Sequence, residues 1–459
     1  MASHAVGSIV KHPARASLFW YLGAIIIGSV LLSFPFCQSL EKPPISPLDA
    51  AFTATSATCV TGLAVRSTGN DFSLAGQVVI LILIQLGGIG IMTVTTFITF
   101  SLGGRESLRH RAVLADSLGA GSEPNLRSVV GKVFRYTLLF EGAGFVILAA
   151  RFLFDHSFGA AIWQALFHSV SAFCNAGFSL NDDSLVSYQG DVVVNATVSI
   201  LIICGGIGFP VMVDIVRNRE HKWPEFWERL TLHSKLMLSG TALLLALGTL
   251  AFLILEWDGA LAEMSVTGKC VAAFFQSFSC RTAGFNTIEI GVLTNASLFI
   301  MILLMMIGAG PCSTGGGFKV STLIVLVLRG WATFRGRARV VMARRSIPGE
   351  TIDRAIATAM LFAVVAIAAL AALLILEQSE KPHAQSQGLF LDAMFEVFSA
   401  LGTVGLTTGV TPYLTDGGRL VIIALMLMGR LGPITVFAAL ARTERTVPVE
   451  YALEAPLIG

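Results

Sequence analysis

The 459-residue sequence predicts an all-α polytopic membrane protein. Its expected plan is four parallel units of span, pore helix and span, with pseudo-fourfold symmetry around a central pore and eight transmembrane helices in all. Three observations carry that expectation. Hydrophobic residues make up 54% of the chain and charged residues only 13%, against about 25% charged in soluble domains. Four short glycine-centred segments recur, with Gly62, Gly177, Gly284 and Gly405 spaced 115, 107 and 121 residues apart. Basic residues gather in alternate connections between apolar stretches.

Eight stretches are long enough to cross a bilayer, which takes ~20 apolar residues. They run over 17–36, 74–101, 130–153, 191–216, 232–256, 295–329, 353–377 and 418–441. The first follows Lys11 and Arg15 and ends in Phe34-Pro35-Phe36, with no small-residue cleavage site, so it reads as a retained span and not a signal peptide. Between each odd span and the next even one lies a shorter segment, at 49–58, 161–173, 269–280 and 390–401. Each is too short to span, and each ends in one of the glycine segments. A helix and loop that re-enter at membrane depth are tolerated only where protein or a water-filled cavity surrounds them. The four units divide the chain at 1–102, 103–217, 218–330 and 331–459.

Charge orients the units. The connections between them hold Arg105, Arg109, Arg111, Arg127, Lys132 and Arg135, then Arg217, Arg219, Lys222, Arg229 and Lys235, then Arg329, Arg335, Arg337, Arg339, Arg344, Arg345 and Arg354. Connections inside the units are neutral or acidic, with Asp71, Asp155, Asp182, Asp183, Asp191, Asp258, Glu263, Glu289, Glu380 and Asp416. Positive residues stay cytoplasmic. Both termini are therefore expected inside, the glycine loops outside, and the repeats parallel about an axis along the membrane normal. The expected location is the plasma membrane, the inner membrane in a bacterium. The net charge of +2 singles out no polyanion, and nucleic acid is not an expected partner. The seven cysteines sit in or beside apolar stretches without metal-ligand spacing, and read as small buried hydrophobes.

The glycine segments read Thr58-Cys59-Val60-Thr61-Gly62-Leu63, Phe173-Cys174-Asn175-Ala176-Gly177-Phe178, Arg281-Thr282-Ala283-Gly284-Phe285 and Gly402-Thr403-Val404-Gly405-Leu406. Phe52, Phe167 and Phe395 stand ten residues before their glycines, and Phe275 nine before Gly284. Glycine takes φ > 0 and lets an ion approach backbone carbonyls closely. Asp49 and Asp392, near the starts of the first and last short helices, suit the positive ends of helix dipoles. The opposite ends would then favour a cation at the pore centre. One such glycine reads as a close-packing residue between helices. Four in equivalent contexts read as an ion selectivity filter.

These four segments, with Ser56-Ala57, Ser171-Ala172 and Ser399-Ala400 before three of them and Asn286-Thr287 after the third, resemble the pore loops of the Trk/Ktr/HKT potassium transporters. The resemblance covers the whole chain. It is nearest to the Ktr-type membrane subunit, which also has eight spans. It implies that one glycine per repeat, with the residue before it, lends carbonyls to the ion: Thr61 and Gly62, Ala176 and Gly177, Ala283 and Gly284, Val404 and Gly405. Serine at the first position goes with sodium in that family, so Gly62 favours potassium. Potassium is then the transported ion, with no cofactor on this chain. The resemblance also implies a homodimer in lipid, docked on a cytoplasmic ring of nucleotide-binding regulatory subunits, with nucleotide expected only there.

The stretch 295–329 is overlong for one span and holds Gly308-Ala309-Gly310-Pro311-Cys312-Ser313-Thr314-Gly315-Gly316-Gly317-Phe318-Lys319. Glycines and a proline at this density cannot sustain a regular helix. A phosphate-binding Gly-x-x-x-x-Gly-Lys-Ser/Thr spacing is not met. The segment admits a passive kink or a functional loop. The resemblance matches it to an intramembrane gate, and Gly308, Gly310, Ser313, Thr314, Gly315, Gly316, Gly317 and Lys319 are its expected residues. Lys319 is costly at that depth without a partner. Arg430, within the last span, is either a charge on the ion path or a tie to pore-helix carbonyls. Glu141, Glu396 and His168 admit structural roles as readily as functional ones. No nucleophile–base pair or carboxylate dyad is evident, so an enzyme is not expected. A rival, alternating access for another solute, would call for inverted repeats. Sodium transport within the same family is the nearer rival.

Overall fold

The structure, a computed structural model, describes residues 13–102, 126–342, 345–378 and 388–432, together with 382 and 386. The described residues form fifteen α-helices and one two-stranded hairpin. Their order is a long helix, a short helix, a glycine turn and a further helix, four times along the chain. The first set is α1 (Pro13–Ser33), α2 (Pro47–Thr58) and α3 (Leu74–Leu102). The second is α4 (Leu126–Phe152), α5 (Phe158–Phe173), α6 (Val192–Gly206) and α7 (Phe209–Asn218). A short helix α8 (Glu225–Arg229) leads to the third set, α9 (Leu232–Glu256), α10 (Val266–Ser279), α11 (Asn295–Met306) and α12 (Val320–Phe334). The hairpin β1 (Val341–Met342) and β2 (Arg345–Ser346) precedes the fourth set, α13 (Gly349–Gln378), α14 (Leu389–Gly402) and α15 (Asp416–Leu431).

Local chemistry sets most of these boundaries. Side chains of Ser46, Asp191, Thr231, Ser265, Thr294 and Thr415 each accept a hydrogen bond from a backbone N–H in the first turn that follows. Such caps satisfy donors that a helix start leaves unpaired. Two long helices are tied to the helix starts that follow. Glu256 accepts from the backbone and hydroxyl of Thr294 at 3.0 and 2.7 Å, and Glu377 accepts from those of Thr415 at 2.9 and 2.7 Å.

Four helices are singly long and apolar enough to cross a membrane, over Leu74–Thr93, Val130–Phe152, Leu232–Glu256 and Gly349–Glu377. The stretch expected as one span over 191–216 is instead two helices, α6 and α7, bent by 100°. Gly208 sits at the break with φ 100°, where a Cβ would stand 2.5 Å from the Pro311 carbonyl oxygen. The bend thus makes room for another segment of the chain. Ser17–Ser33, Asn295–Met306 and Val320–Phe334 are shorter apolar helices. Arg105, Arg109, Arg111, Arg344, Glu380, the last part of the 418–441 stretch and both termini lie outside the described residues.

Each short helix packs against the helix before it in its own set and against one from the preceding set, and α2, α5 and α14 also pack against the helix that follows them. The partners from the preceding set are α15 for α2, α3 for α5, α6 for α10 and α11 for α14. The packing therefore closes head to tail in chain order. Phe52, Phe167, Phe275 and Phe395 are all buried at these contacts. One expectation fails: Cys270 is exposed. It shares the outer face of α10 with Phe274, 46% exposed, while Ala272, Ala273 and Phe275 turn inward.

Candidate functional site

The four glycine turns meet. A Cβ placed on Gly62 would stand 2.5 Å from the Ala176 carbonyl oxygen and 3.1 Å from the Gly177 Cα. One on Gly177 would stand 2.8 Å from the Gly284 Cα and 3.0 Å from the Ala283 oxygen. One on Gly284 would reach the Val404 oxygen at 2.5 Å, and one on Gly405 would overlap the Thr61 oxygen. The contacts run from first to second to third to fourth and back to the first, so the backbones form a closed ring. Any side chain at these positions would intrude on the neighbouring carbonyl. All four glycines have positive φ, between 68° and 97°, which only glycine adopts at no steric cost.

Two residues before each glycine stands a non-glycine residue with positive φ: Val60 at 54°, Asn175 at 58°, Thr282 at 66° and Thr403 at 50°. A β-branched residue there is a genuine conformational outlier. It costs of order 1–3 kcal/mol and persists only where surrounding structure imposes it. What imposes it is a serine at the end of each short helix. The backbone N–H groups of Thr61, Ala176 and Val404 donate to the carbonyls of Ser56, Ser171 and Ser399 at 2.8 Å, and that of Ala283 donates to Ser279 at 3.1 Å. The hydroxyls of Ser171 and Ser399 donate to Phe178 and Leu406 carbonyls at 2.7 and 2.6 Å, and Ser279 donates to Phe285. Ser56 and Ser399 hydroxyls accept from the Gly62 and Gly405 N–H groups at 3.1 Å. Sequence reasoning assigned no role to these serines or to the strained residues. The signal was present: serine stands six residues before three glycines and five before Gly284, the same one-residue shortening that Phe275 shows.

A cavity of about 380 Å³ opens onto the ring, lined by all four glycines and by Arg66, Asp71 and Asp182. Asp49, in the first turn of α2, pairs with Arg66 at 2.9 Å and with Arg419 of α15 at 2.7 Å, which ties the first set to the fourth. The C-terminal ends of all four short helices abut the ring. These ends carry partial negative charge, which favours a cation between them.

On the opposite side lies residues 307–319, the interruption between α11 and α12. Its ends bridge at Ile307 and Phe318, and Gly308 N–H donates to the Phe318 carbonyl at 2.7 Å. Gly310 and Thr314 N–H groups donate to the carbonyls of Gly206 and Gly205 at 2.8 and 3.1 Å. Gly316 N–H donates to the Thr403 hydroxyl at 3.1 Å, and Gly317 N–H to the Gly429 carbonyl at 3.3 Å. A Cβ on Gly315 would overlap the Thr282 hydroxyl. The loop therefore lies against the strained residues that carry the ring. Ser313 donates within the loop, to the Gly310 carbonyl at 2.6 Å.

Two cations serve this loop, Arg430 buried and Lys319 half-buried. Lys319 donates to the carbonyls of Gly315 and Gly316 at 2.7 and 3.2 Å. Arg430 donates to the Thr314 carbonyl, to the Gly87 carbonyl at 2.6 Å and to the Tyr21 hydroxyl at 3.4 Å. The eight expected ring residues and the eight expected loop residues are thus in one place, with Arg430 beside the loop.

Glu141, His168 and Glu396 find protein partners. Glu141 accepts from Gln85 at 3.0 Å and from the Cys174 thiol at 3.8 Å. His168 is held between the Gln164 carbonyl and Ser179, at 2.8 and 3.0 Å, and packs as a core residue. Glu396 accepts from Thr407 and from Thr411, the latter at 2.9 Å, next to the fourth turn.

The TrkH family, described as cation transport protein, matches residues 25–445. Among similar proteins is the Ktr system potassium uptake protein B of Vibrio alginolyticus, 39% identical over 97% of this chain and 94% of that protein. Its namesake in Bacillus subtilis (strain 168) is 40% identical over 95% of this chain and 94% of its own. The potassium/sodium uptake protein NtpJ of Enterococcus hirae is 38% identical over 95% and 94%. The crystal structure of the potassium transporter TrkH from Vibrio parahaemolyticus superposes with a TM-score of 0.70 at 22% identity, over 92% of this chain and 84% of that one.

Proposed function

The chain belongs to the TrkH family of cation transport proteins, and on that premise we propose that it takes up potassium through the ring of four glycine turns. The closed ring of backbone carbonyls and side-chain-free positions carries this reading. Carbonyls of Thr61, Gly62, Ala176, Gly177, Ala283, Gly284, Val404 and Gly405 replace the ion's water. Short-helix C-termini supply the field, and the electrochemical gradient drives inward flux. The four sets, 1–102, 103–217, 218–330 and 331–459, are parallel repeats about one axis, each contributing two of eight spans. α6–α7 and α11–α12 are then broken spans, admissible because their irregular backbone is covered by protein.

The loop from Gly308 to Lys319 acts as the gate. It packs on Thr282 and Thr403 at the foot of the ring, and its carbonyls are held by Lys319 and Arg430. A fixed charge at Arg430 also opposes cation occupancy: at ~4 Å two unit charges interact by about 4 kcal/mol for an effective dielectric of 20. The names of the two Ktr relatives place them in a system, which supports a further component; that the chain forms a homodimer seated on a cytoplasmic, nucleotide-binding regulatory ring is what the family resemblance implies. The expected location is the plasma membrane, with the termini on the cytoplasmic side by the charge count.

The test is rubidium and sodium flux into proteoliposomes, with and without an imposed gradient of each ion. Rubidium uptake that outpaces sodium is expected. Equal rates would move the reading to sodium-conducting or sodium-coupled transport, which the name of the Enterococcus relative keeps in view. Failure of both ions with a third solute accumulating would sink the filter.

A further inference from the structure

A crevice of about 520 Å³ lies away from the ring, between the first half of α4 and the face of α7. It resembles neither the ring nor the loop in chemistry. Along α4 it is lined by Lys132, Arg135, Tyr136 and Leu139, and along α7 by Val213, Val216 and Arg217. Spacings of three and four residues put each group on one helix face. On α4 the order is two cations, then a phenol, then an apolar side chain, over a rise of about 10 Å. On α7 the cation stands in the last turn, past the two valines.

The crevice is preformed. Val133 and Phe209 behind it are 0% and 1% exposed, and Met92 packs with them. The Tyr136 ring meets Phe209 edge-on, with centroids 5.8 Å apart. The 100° bend after α6 turns α7 aside, and its Val213, Val216 and Arg217 form the second wall. Leu139 is 64% and Val216 40% exposed, so the deeper part presents apolar surface outward. Arg135 has no hydrogen-bond or ion-pair partner among the described residues.

We propose that this crevice binds the phosphodiester headgroup of an anionic phospholipid, with Lys132, Arg135 and Arg217 around the phosphate and an acyl chain along Leu139 and Val213. The inference rests on the membrane orientation given above, in which the start of α4 faces the cytoplasm. Three cations and several aliphatic side chains lining one groove match an amphiphile and not a free anion. Basic pockets between spans on the cytoplasmic side recruit such headgroups, and a tyrosine at the headgroup level suits the interface. A lipid there would wedge α7 against α4. Because Gly208 N-terminal to α7 lies against Pro311, the site is one bend away from the loop.

Delipidated full-length chain, titrated with phosphatidylglycerol or phosphatidylcholine, is read by native mass spectrometry. One tightly held phosphatidylglycerol is expected, with at least tenfold weaker binding in Arg135→Gln and in Lys132→Gln/Arg135→Gln/Arg217→Gln. The exchange Arg135→Lys should keep it, and Arg337→Gln, a remote exposed charge, should leave it unchanged. Equal phosphatidylglycerol retention in the parent and the triple variant overturns the proposal. So does displacement of the lipid by millimolar inorganic phosphate, which identifies a free-anion site. Unaltered lipid binding with lost capture of the regulatory subunit also overturns it, in favour of protein docking. None of these readouts needs ion flux, so failure of the transport reading and failure of this one are separable.

Discussion

One guanidinium nitrogen of Arg430 donates to the carbonyl of Thr314, across 116 residues of sequence. Its second terminal nitrogen holds the Gly87 carbonyl on α3, and its Nε faces the Tyr21 hydroxyl on α1. Lys319 holds the next two carbonyls of the loop, those of Gly315 and Gly316. Three consecutive carbonyls are thus engaged by two cations. A planar fork can reach separate acceptors in fixed directions, which an ammonium cannot. Arg430 therefore bonds both to the loop and to a carbonyl of the long helix α3, which is not one of the short helices.

Replacing Arg430 should loosen the loop. Hydrogen bonds from a charged donor are worth about 1.5–3 kcal/mol each. Arg430→Gln is expected to destabilise by about 2 kcal/mol and to raise basal rubidium uptake severalfold. Arg430→Lys should restore part of the kinetics and less of the stability. Tyr21→Phe removes one partner and leaves the Thr314 bond, so it should lower stability with little change in uptake. Concentration-dependent uptake and thermal unfolding in detergent separate the two effects. A lower melting temperature in Arg430→Gln with parental uptake kinetics would make Arg430 a structural tie alone.

Selectivity depends on the empty space at Gly62. A side chain there meets the Ala176 carbonyl at 2.5 Å and a φ of 97°. Gly62→Ser is expected to displace that carbonyl, or to add its own hydroxyl, and to raise sodium permeation relative to potassium by about tenfold, ~1.4 kcal/mol. Competing rubidium and sodium influx measures it. An unchanged ratio in a folded mutant removes Gly62 from the filter.

Deleting Gly310 to Gly316 should raise basal flux and reduce dependence on the regulatory subunit. The deletion also removes the bonds from Gly310 and Thr314 to α6. Dimer assembly and membrane insertion must therefore match the parent. An assembled deletion that conducts no faster than the parent would show a kink and not a gate.

The serine supports are testable one set at a time. Ser399→Ala deletes the hydroxyl that bridges the Leu406 carbonyl and the Gly405 N–H. The expected cost is about 1–3 kcal/mol from unpaired buried groups, with a loss of potassium preference. Ser399→Cys, of similar shape, should recover part of it. Selectivity equal to the parent in the alanine form would mean that the helix backbone alone holds the turn.

Asp49 links the first set to the fourth through Arg66 and Arg419. Its side chain is 3% exposed, whereas those of the arginines are 31% and 18% exposed. Asp49→Asn leaves two cations without their anion and should cost about 3 kcal/mol, the lower range for breaking a buried pair. Adding Arg419→Gln should cost less than the sum of the single changes. Strict additivity in thermal unfolding would show that the pair is not coupled.

Local composition determined much of this protein. Apolar lengths marked the long helices, and each short helix begins only a few residues before its expected start. Glycine and proline density marked the break between Met306 and Val320, because a helix cannot hold such a run whatever surrounds it. Repetition marked the four turns. Other features depend on groups far away in sequence. The bend at Gly208 exists because Pro311 occupies the space beside it. Val60, Asn175, Thr282 and Thr403 adopt left-handed backbone because the serine ends of the short helices and the neighbouring turns leave no alternative. Nothing in Met426-Leu427-Met428-Gly429-Arg430 says that its charge meets Thr314, Gly87 and Tyr21. Periodicity reports what a residue does to its own helix. The partners of a buried charge, and the closing of four turns into one ring, are decided by packing between sets, and only the tertiary structure contains that.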